Sequence, residues 1–362
     1  MKKLEVIIAS FLVYLAFVFT YLIPVKKNRV SIISYFNSNL GLEFNDIVNH
    51  LEDDNIEIKA NLHKFNSSLS GKFSYLFSFL YQTYLFNTSR VVLLDGNNFV
   101  YSKIKVKKGT STIQLWHASG AIKKFGMQSE RRYEIKPYDY VIVGSNYFKE
   151  VFATSLNTPI ENVVPLGIAK SDYLFNDSYL SKKREDFYNR YPHLINKKII
   201  LYAPTFRGSG IEDMNSDLKI DKFRNSLSGE YELLVKVHPL VNKGLENIEN
   251  NVSNEQLYTL LSISDYIISD YSALIFDAIA LNKDVIMYLY DLDEYTNNRG
   301  LSIDIDEIDI LKAYNEDELI QLINKNCSKD NNKIKEKYLE KMDGQSAKRI
   351  SNFIVDLIKE DK

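Results

Sequence analysis

The chain has 362 residues, enough for two domains of ordinary size. A composition of 45% hydrophobic and 25% charged residues, with 14 Gly and 7 Pro, excludes collagenous, low-complexity and wholly disordered classes. Cys327 is the lone cysteine, which excludes a disulfide framework and a cysteine-rich zinc site, and a formal charge of −2 lacks the basic surplus of a nucleic-acid binder.

The chain opens on an apolar run, Val6 to Val25, interrupted by Ser10, Thr20 and Pro24. As a helix rising 1.5 Å per residue it would reach across a hydrocarbon core of about 30 Å. No small-residue cleavage site follows, so residues 1–27 are predicted to be a retained membrane anchor, spanning or monotopic. Lys2 and Lys3 precede the run, and Lys26, Lys27 and Arg29 follow it. The surplus after the run predicts a body on the cytoplasmic side and an attraction to anionic head groups.

Beyond the anchor, short β-rich runs alternate with helical stretches. Strands are predicted at Val30–Tyr35, Ile56–Ala60, Arg90–Leu94, Thr112–Trp116, Tyr140–Val143 and Val163–Pro165, with a helical pattern at Tyr147–Ser155. The polar stretch Lys170–Lys198 reads as an interdomain segment. A second series of strands follows at Ile199–Ala203, Glu232–Val237, Tyr266–Ser269 and Val285–Leu289, with a helical pattern at Glu255–Ser262. The last helix is predicted at Ala347–Ile358, near the interdomain junction. Continuous apolar strands separated by helices predict an α/β chain with two doubly wound parallel sheets. The predicted divisions are residues 28–175, residues 176–345 and a C-terminal helix over 346–362. Two such domains facing each other would form a cleft lined by strand ends.

Four clusters at predicted strand ends carry the chemistry. In the first, a strand delivers His117 to a turn, and Ser119 and Gly120 look like the opening of a helix, with Lys123 and Lys124 following. An imidazole beside free backbone N–H groups suits proton transfer next to a phosphate. In the second, a strand breaks at Pro204 and Arg207 follows on a loop, a residue suited to bidentate phosphate binding. In the third, His238 precedes Pro239, which stops the strand and leaves the histidine at its tip. In the fourth, Ser269-Asp270-Tyr271-Ser272 ends a buried strand and Ser272 is placed to cap the helix that carries Asp277. The turn and His238 are expected on neighbouring strands. Each cluster alone also fits a plainer role: a packed strand-end histidine, a surface arginine, simple capping. The run Asp291-Leu292-Asp293-Glu294 reads as a solvated loop more readily than a cation site. No P-loop, G-x-G-x-x-G or H-E-x-x-H motif occurs.

In this order the clusters resemble the CDP-glycerol glycerophosphotransferase family. The resemblance rests on Trp116-His117, Val143-Gly144-Ser145, Pro165-Leu166-Gly167 with Asp172, and Leu201 to Arg207. It continues through His238-Pro239, Ser269 to Ser272 with Phe276-Asp277, Tyr288, Tyr290-Asp291, Tyr295 and Arg299-Gly300. It implies a GT-B arrangement of two Rossmann-like domains that moves glycerol phosphate from CDP-glycerol to a hydroxyl and releases CMP. The implied acceptor is an undecaprenyl-diphosphate-linked saccharide of teichoic acid synthesis, met at the inner leaflet. His117 would be the general base, since a neutral imidazole with a pKa of about 6.5 suits that task. His238, Arg207, Ser269, Asp270, Ser272 and Asp277 would hold the donor, and Ser119, Gly120, Lys123 and Lys124 the acceptor. Neither cofactor nor metal is implied, and a homo-oligomer stays open. Relatives that use CDP-ribitol are the nearest alternative, then a nucleotide-sugar glycosyltransferase of the same fold or a non-catalytic scaffold. Ala118-Ser119-Gly120 replaces the Gly-Thr-Pro of many polymerases in the family, and the N-terminus leaves little room for a polymerase-type extension; both tilt the expectation toward a priming or short-transfer enzyme. Ala273 stands where a second serine is usual, and no Pro-Gly segment follows Arg299-Gly300.

Overall fold

The computed structural model describes residues 3–52, 55–64, 69–129, 133–205, 218–237 and 250–360. The chain divides into two compact units, one of residues 1–118, 125–172 and 340–362, the other of residues 119–124 and 173–339. The division expected after residue 175 therefore falls after Asp172. The short piece Ser119–Lys124 groups with the second unit, and everything from Glu340 onward groups with the first.

The first unit runs α1 (Lys3–Tyr21), β1 (Lys26–Ser34), α2 (Gly41–Glu52), β2 (Glu57–Leu62), α3 (Leu69–Thr88), β3 (Ser89–Leu94), α4 (Phe99–Lys103), β4 (Ser111–Gln114), β5 (Tyr140–Val143), α5 (Lys149–Ser155) and β6 (Val163–Pro165). All six strands are parallel, in the order β2-β1-β3-β4-β5-β6. β3 is buried throughout, and its last four residues, Val91 to Leu94, form an apolar run instead of an alternating one. On one face of the sheet, α2 presents Phe44, Ile47, Val48 and Leu51 at helical spacing to the core. The same core takes Ala347, Ile350, Ile354 and Leu357 from the C-terminal helix.

The second unit continues with α6 (Asp177–Arg190), β7 (Lys198–Tyr202), α7 (Ile220–Ser226), β8 (Tyr231–Val235), α8 (Leu257–Ile263), β9 (Tyr266–Ser269), α9 (Leu274–Ala280), β10 (Asp284–Tyr288), α10 (Leu292–Asn298), β11 (Leu311–Ala313), α11 (Glu316–Asn324) and α12 (Asn332–Tyr338). Its five strands are also parallel, in the order β11-β10-β9-β7-β8. The chain closes with α13 (Ser346–Lys359) on α2 in the first unit. The stretch expected as a linker thus contains α6, whose mostly polar sequence buries only Leu180 and Phe187.

The N-terminal run departs from the expected spanning segment. Among the described residues no helix is long and apolar enough to cross a membrane. α1 stops at Tyr21, short of Pro24, and β1 begins at Lys26. α1 packs on α3 and buries Ala9 and Val13, while Asn87 Nδ2 donates to Thr20 Oγ1 at 2.7 Å. The basic flank is also partly spent. Arg29 is buried and its Nε and Nη2 each donate to Glu57 at 3.1 Å, while Nη1 reaches Tyr84 and Thr88. These hydrogen bonds from Arg29 hold the Glu57 carboxyl down at about 2.

Two glycines of the first unit separate backbone strain from crowding. Gly126 has φ +62°, and a Cβ there would sit 1.8 Å from the Ser155 carbonyl oxygen; Gly109 has φ +88° with nothing within 4 Å. Gly109→Ala should lose only the left-handed penalty, about 1–2 kcal/mol. Gly126→Ala adds a backbone clash and should lose about 3 kcal/mol or more. Chemical denaturation of both variants beside the parent checks the order.

Candidate active site

Parallel pairing brings the carboxyl ends of β1, β3 and β4 to one edge of the first sheet, where α/β folds place ligands. Ser34 ends β1, Asp95-Gly96 follows β3, and Trp116-His117 follows β4. His117 Nδ1 lies 3.2 Å from the Asp95 main-chain oxygen. A carbonyl can only accept, so Nδ1 carries a proton. The ring is flanked by Trp116, with centroids 4.5 Å apart, and Phe36, at 4.9 Å.

The turn carrying His117 is strained and braced. Trp116 has φ +56°, an uncommon conformation for a bulky residue. Its N–H donates to Gln114 Oε1 at 3.0 Å, and Gln114 Nε2 donates to the Gly96 carbonyl at 3.0 Å. The indole packs on Phe125 and edge-on to Phe152. Lys170 Nζ donates to the His117 carbonyl. No helix starts at Ser119, contrary to expectation. Residues 119–124 run without regular structure along residues 300–302 of the second unit, with a bridge between Lys123 and Leu301 and a bond from Lys124 N to the Gly300 oxygen at 3.0 Å.

Asp95 is the group at this edge that sequence reading missed. The Asp-Gly directly after the apolar run Val91 to Leu94 was the available signal. Its side chain is buried; Ser34 Oγ donates to Oδ2 at 2.5 Å, and Oδ1 has no hydrogen-bond partner among the described residues. Burial is the main force that pushes its carboxyl up to about 7.

In the second unit, the turn after β9 is held by its own polar side chains. Ser269 Oγ donates to the Ala203 carbonyl at 2.7 Å. Asp270 accepts from Thr205 N with both oxygens, at 2.9 and 3.0 Å, and from Tyr271 N at 2.7 Å. These bonds tie the end of β9 to the end of β7, so the geometry gives Ser269 and Asp270 a framing part. Ser272 lies one residue before the helix-capping position, which Ala273 occupies, and its Oγ meets Leu274 N at 3.4 Å. Asp277 is buried and accepts from Ser119 Oγ, which ties residue 119 to α9. Tyr271 stacks on Tyr295 at 3.8 Å and donates to Asp291, so Asp291 belongs to this packing. Among the described residues no group of three or more His, Cys, Asp or Glu stands together as a metal set. Arg207 and His238 lie outside the described residues. β7 lies between β8 and β9, so the strand leading to His238 is not the neighbour of the Ser-Asp-Tyr-Ser strand that was expected. Lys236 anchors the approach to it by donating to the carbonyls of Ser253 at 2.9 Å and Glu255 at 2.7 Å.

Comparison with known proteins shows the family and agrees with the fold. A family model described as CDP-glycerol:poly(glycerophosphate) glycerophosphotransferase matches residues 15–356. The chain belongs to this family. A teichoic acid ribitol-phosphate primase of Bacillus spizizenii is 30% identical over 359 residues, covering 92% of each chain. A teichoic acid glycerol-phosphate primase of Bacillus subtilis is 31% identical over 294 residues, 76% of each chain. The solved wall teichoic acid polymerase TagF, as a histidine-to-asparagine variant soaked with CDPG, superposes with a TM-score of 0.70 at 20% identity. That match covers 97% of this chain and 94% of the other, and it establishes the α/β fold of two parallel sheets.

Several residues that carry the family resemblance serve the scaffold of this transferase. Asp172 accepts from Ser346 N at 3.0 Å and Ala347 N at 2.8 Å, at the start of α13. Gly167, at φ +97°, passes so close to Lys341 and Ser346 that no side chain fits. Both dock α13 on the first unit.

The raised Asp95 carboxyl has a consequence for pH. Folded Asp95 keeps its proton up to about pH 7, whereas an unfolded aspartate releases it near a pKa of about 3.9. The stability it contributes is therefore full below about pH 4 and is lost as pH rises through about 7. Asp95→Asn mimics the neutral form, so the variant's melting temperature relative to the parent should climb between about pH 5 and pH 8.5. A difference that stays flat across that range, followed by circular dichroism, counts against a neutral Asp95.

Proposed function

We propose that this chain transfers glycerol phosphate from CDP-glycerol to a hydroxyl of a lipid-linked teichoic acid precursor. The observation that carries the reading is His117. A main-chain carbonyl holds its Nδ1 proton, which makes Nε2 the ring nitrogen assigned to proton transfer. In this reading Nε2 takes the proton of the acceptor hydroxyl. The hydroxyl oxygen forms a bond to the β-phosphorus of CDP-glycerol, the bond from that phosphorus to the bridging oxygen breaks, and CMP leaves with the electron pair. His238, Arg207 and Ser272 are assigned to the donor diphosphate, with His238 stabilising charge on the leaving phosphate. Ser269 and Asp270 hold the turn on which Ser272 sits. Asp277 orients the donor side through its tie to Ser119, and Gly120, Lys123 and Lys124 are assigned to the acceptor.

One observation favours a second donor. The ribitol-phosphate primase matches 92% of this chain, against 76% for the B. subtilis glycerol-phosphate primase. CDP-ribitol is therefore the competing substrate. Incubation with each donor and a lipid-linked saccharide, followed by CMP release and product mass, decides between them. CMP release with neither donor overturns the reading.

Association with the inner leaflet belongs to the same proposal. Ile7, Phe11, Tyr14, Val18 and Leu22 of the α1 segment are exposed at helical spacing, as are Phe73 and Phe77 of α3, against which α1 packs. An apolar surface of this kind suits insertion into the head-group region more than contact with water.

His117→Ala should lower kcat by about 10²–10⁴ and leave the donor KM near the parent's, because the imidazole serves the acceptor proton. Steady-state kinetics with the preferred donor test this. Near-parental kcat removes His117 from the mechanism.

A further inference from the structure

We propose that the pocket between the Lys105–Thr110 loop and Lys136 of the first unit is a binding site for the phosphate head group of anionic phospholipids. The inference rests on the membrane reading above and adds the lipid class and the residues that select it. The pocket has a volume of about 790 Å³, is open to solvent, and is lined by Lys105, Lys107, Lys108 and Lys136. Its one lining carboxylate, Asp139, is already engaged, accepting through Oδ2 from Thr112 N at 2.8 Å and Thr112 Oγ1 at 2.9 Å. With four lysines against that one lining carboxylate, the pocket offers a surplus of positive charge.

Its position says which anion. Lys107 Nζ sits 5.0 Å from the centroid of the Tyr21 ring and donates to the Ile23 carbonyl. Tyr21, Leu22 and Ile23 form the exposed apolar end of the α1 segment. Cations directly beside an exposed apolar end meet the two parts of a phospholipid at once, the phosphate and the acyl boundary. Of the flank expected to do this, Lys26, Lys27 and Arg29, both Lys26 and Arg29 are engaged with Glu57. Lys136 Nζ is held at the pocket wall by the Ile104 carbonyl at 3.0 Å. Burial lowers the pKa of both Lys107 and Lys136, so a phosphate seated there offsets a desolvation cost.

The test is co-sedimentation of the full chain with phosphatidylcholine vesicles and with vesicles that also contain phosphatidylglycerol. The parent should prefer the anionic vesicles, and the preference should fall with salt. Lys105→Ala/Lys108→Ala should lose about fivefold in partitioning per lysine, so about 25-fold for the pair, on anionic vesicles only. The double variant Lys182→Ala/Lys325→Ala, equal in charge and placed on the second unit, should lose far less. Equal losses from the two double variants, or none from the first, overturn the head-group site. Inorganic phosphate at matched ionic strength should not release the parent; release would assign the pocket to a free phosphate instead. Phe11→Asn/Phe19→Asn should weaken binding to both vesicle types. If that holds while Lys105→Ala/Lys108→Ala behaves as the parent, the apolar docking stands and the head-group site falls. A parent that binds neither vesicle overturns both.

Discussion

The arrangement depends on the parallel pairing of β1, β3 and β4. Parallel strands send every carboxyl end to the same edge, so Ser34, Asp95 and His117, far apart in the chain, become neighbours without any contact designed for the purpose. The register is set by burial. β3 is enclosed along its whole length, and slipping it by one residue would exchange the two faces of its side chains against packed helices. From this follow the proton on His117 Nδ1 and the raised pKa of Asp95. A carbonyl at a strand end fixes the first, and enclosure beneath that end causes the second.

That core also explains which features were legible in sequence. Strands buried on both faces read as apolar runs, so β3, β5, β7 and β9 stood out, and the helices between them implied parallel sheets. β11 is three residues long and gave no run to see. α6 hides because its exposed surface dominates its composition and only two side chains anchor it. Of the site, His117 was visible as a titratable residue delivered to a turn by a predicted strand. Asp95 was not, because its significance comes from Ser34 and the His117 ring, and neither lies near it in the chain. The supposed helix after Ser119 failed for a related reason. Ser-Gly is an acceptable helix opening locally, but the segment is claimed by a bridge to Leu301 and by the bond from Ser119 to Asp277.

A motif residue is not thereby a substrate residue. Asp270, Ser269, Asp172 and Gly167 all belong to the pattern that identifies the family, and each has its polar groups or its space taken up by the chain itself. Burying such groups is tolerable because each is satisfied, and removing one partner would leave the other exposed to the cost of an unmade bond. Their common effect is to hold loops at strand ends, where small shifts would move Ser272 or His117.

The N-terminus shows the same economy in reverse. An apolar run flanked by cations reads as a bilayer-spanning helix, yet here Pro24 closes the helix and β1 takes up the chain two residues later. Arg29, counted as a flank, is drawn into the sheet and neutralised by Glu57, because a guanidinium in that buried position must have a partner. Asn87 reaches across to Thr20 and Ala9 and Val13 turn inward, so the helix is fastened along one side only. The opposite side keeps Phe11, Val18 and Leu22 exposed. A helix fastened in this way presents its apolar face from a fixed base, and the cations that accompany that face come from the Lys105–Lys108 loop, which is distant in sequence and adjacent in space.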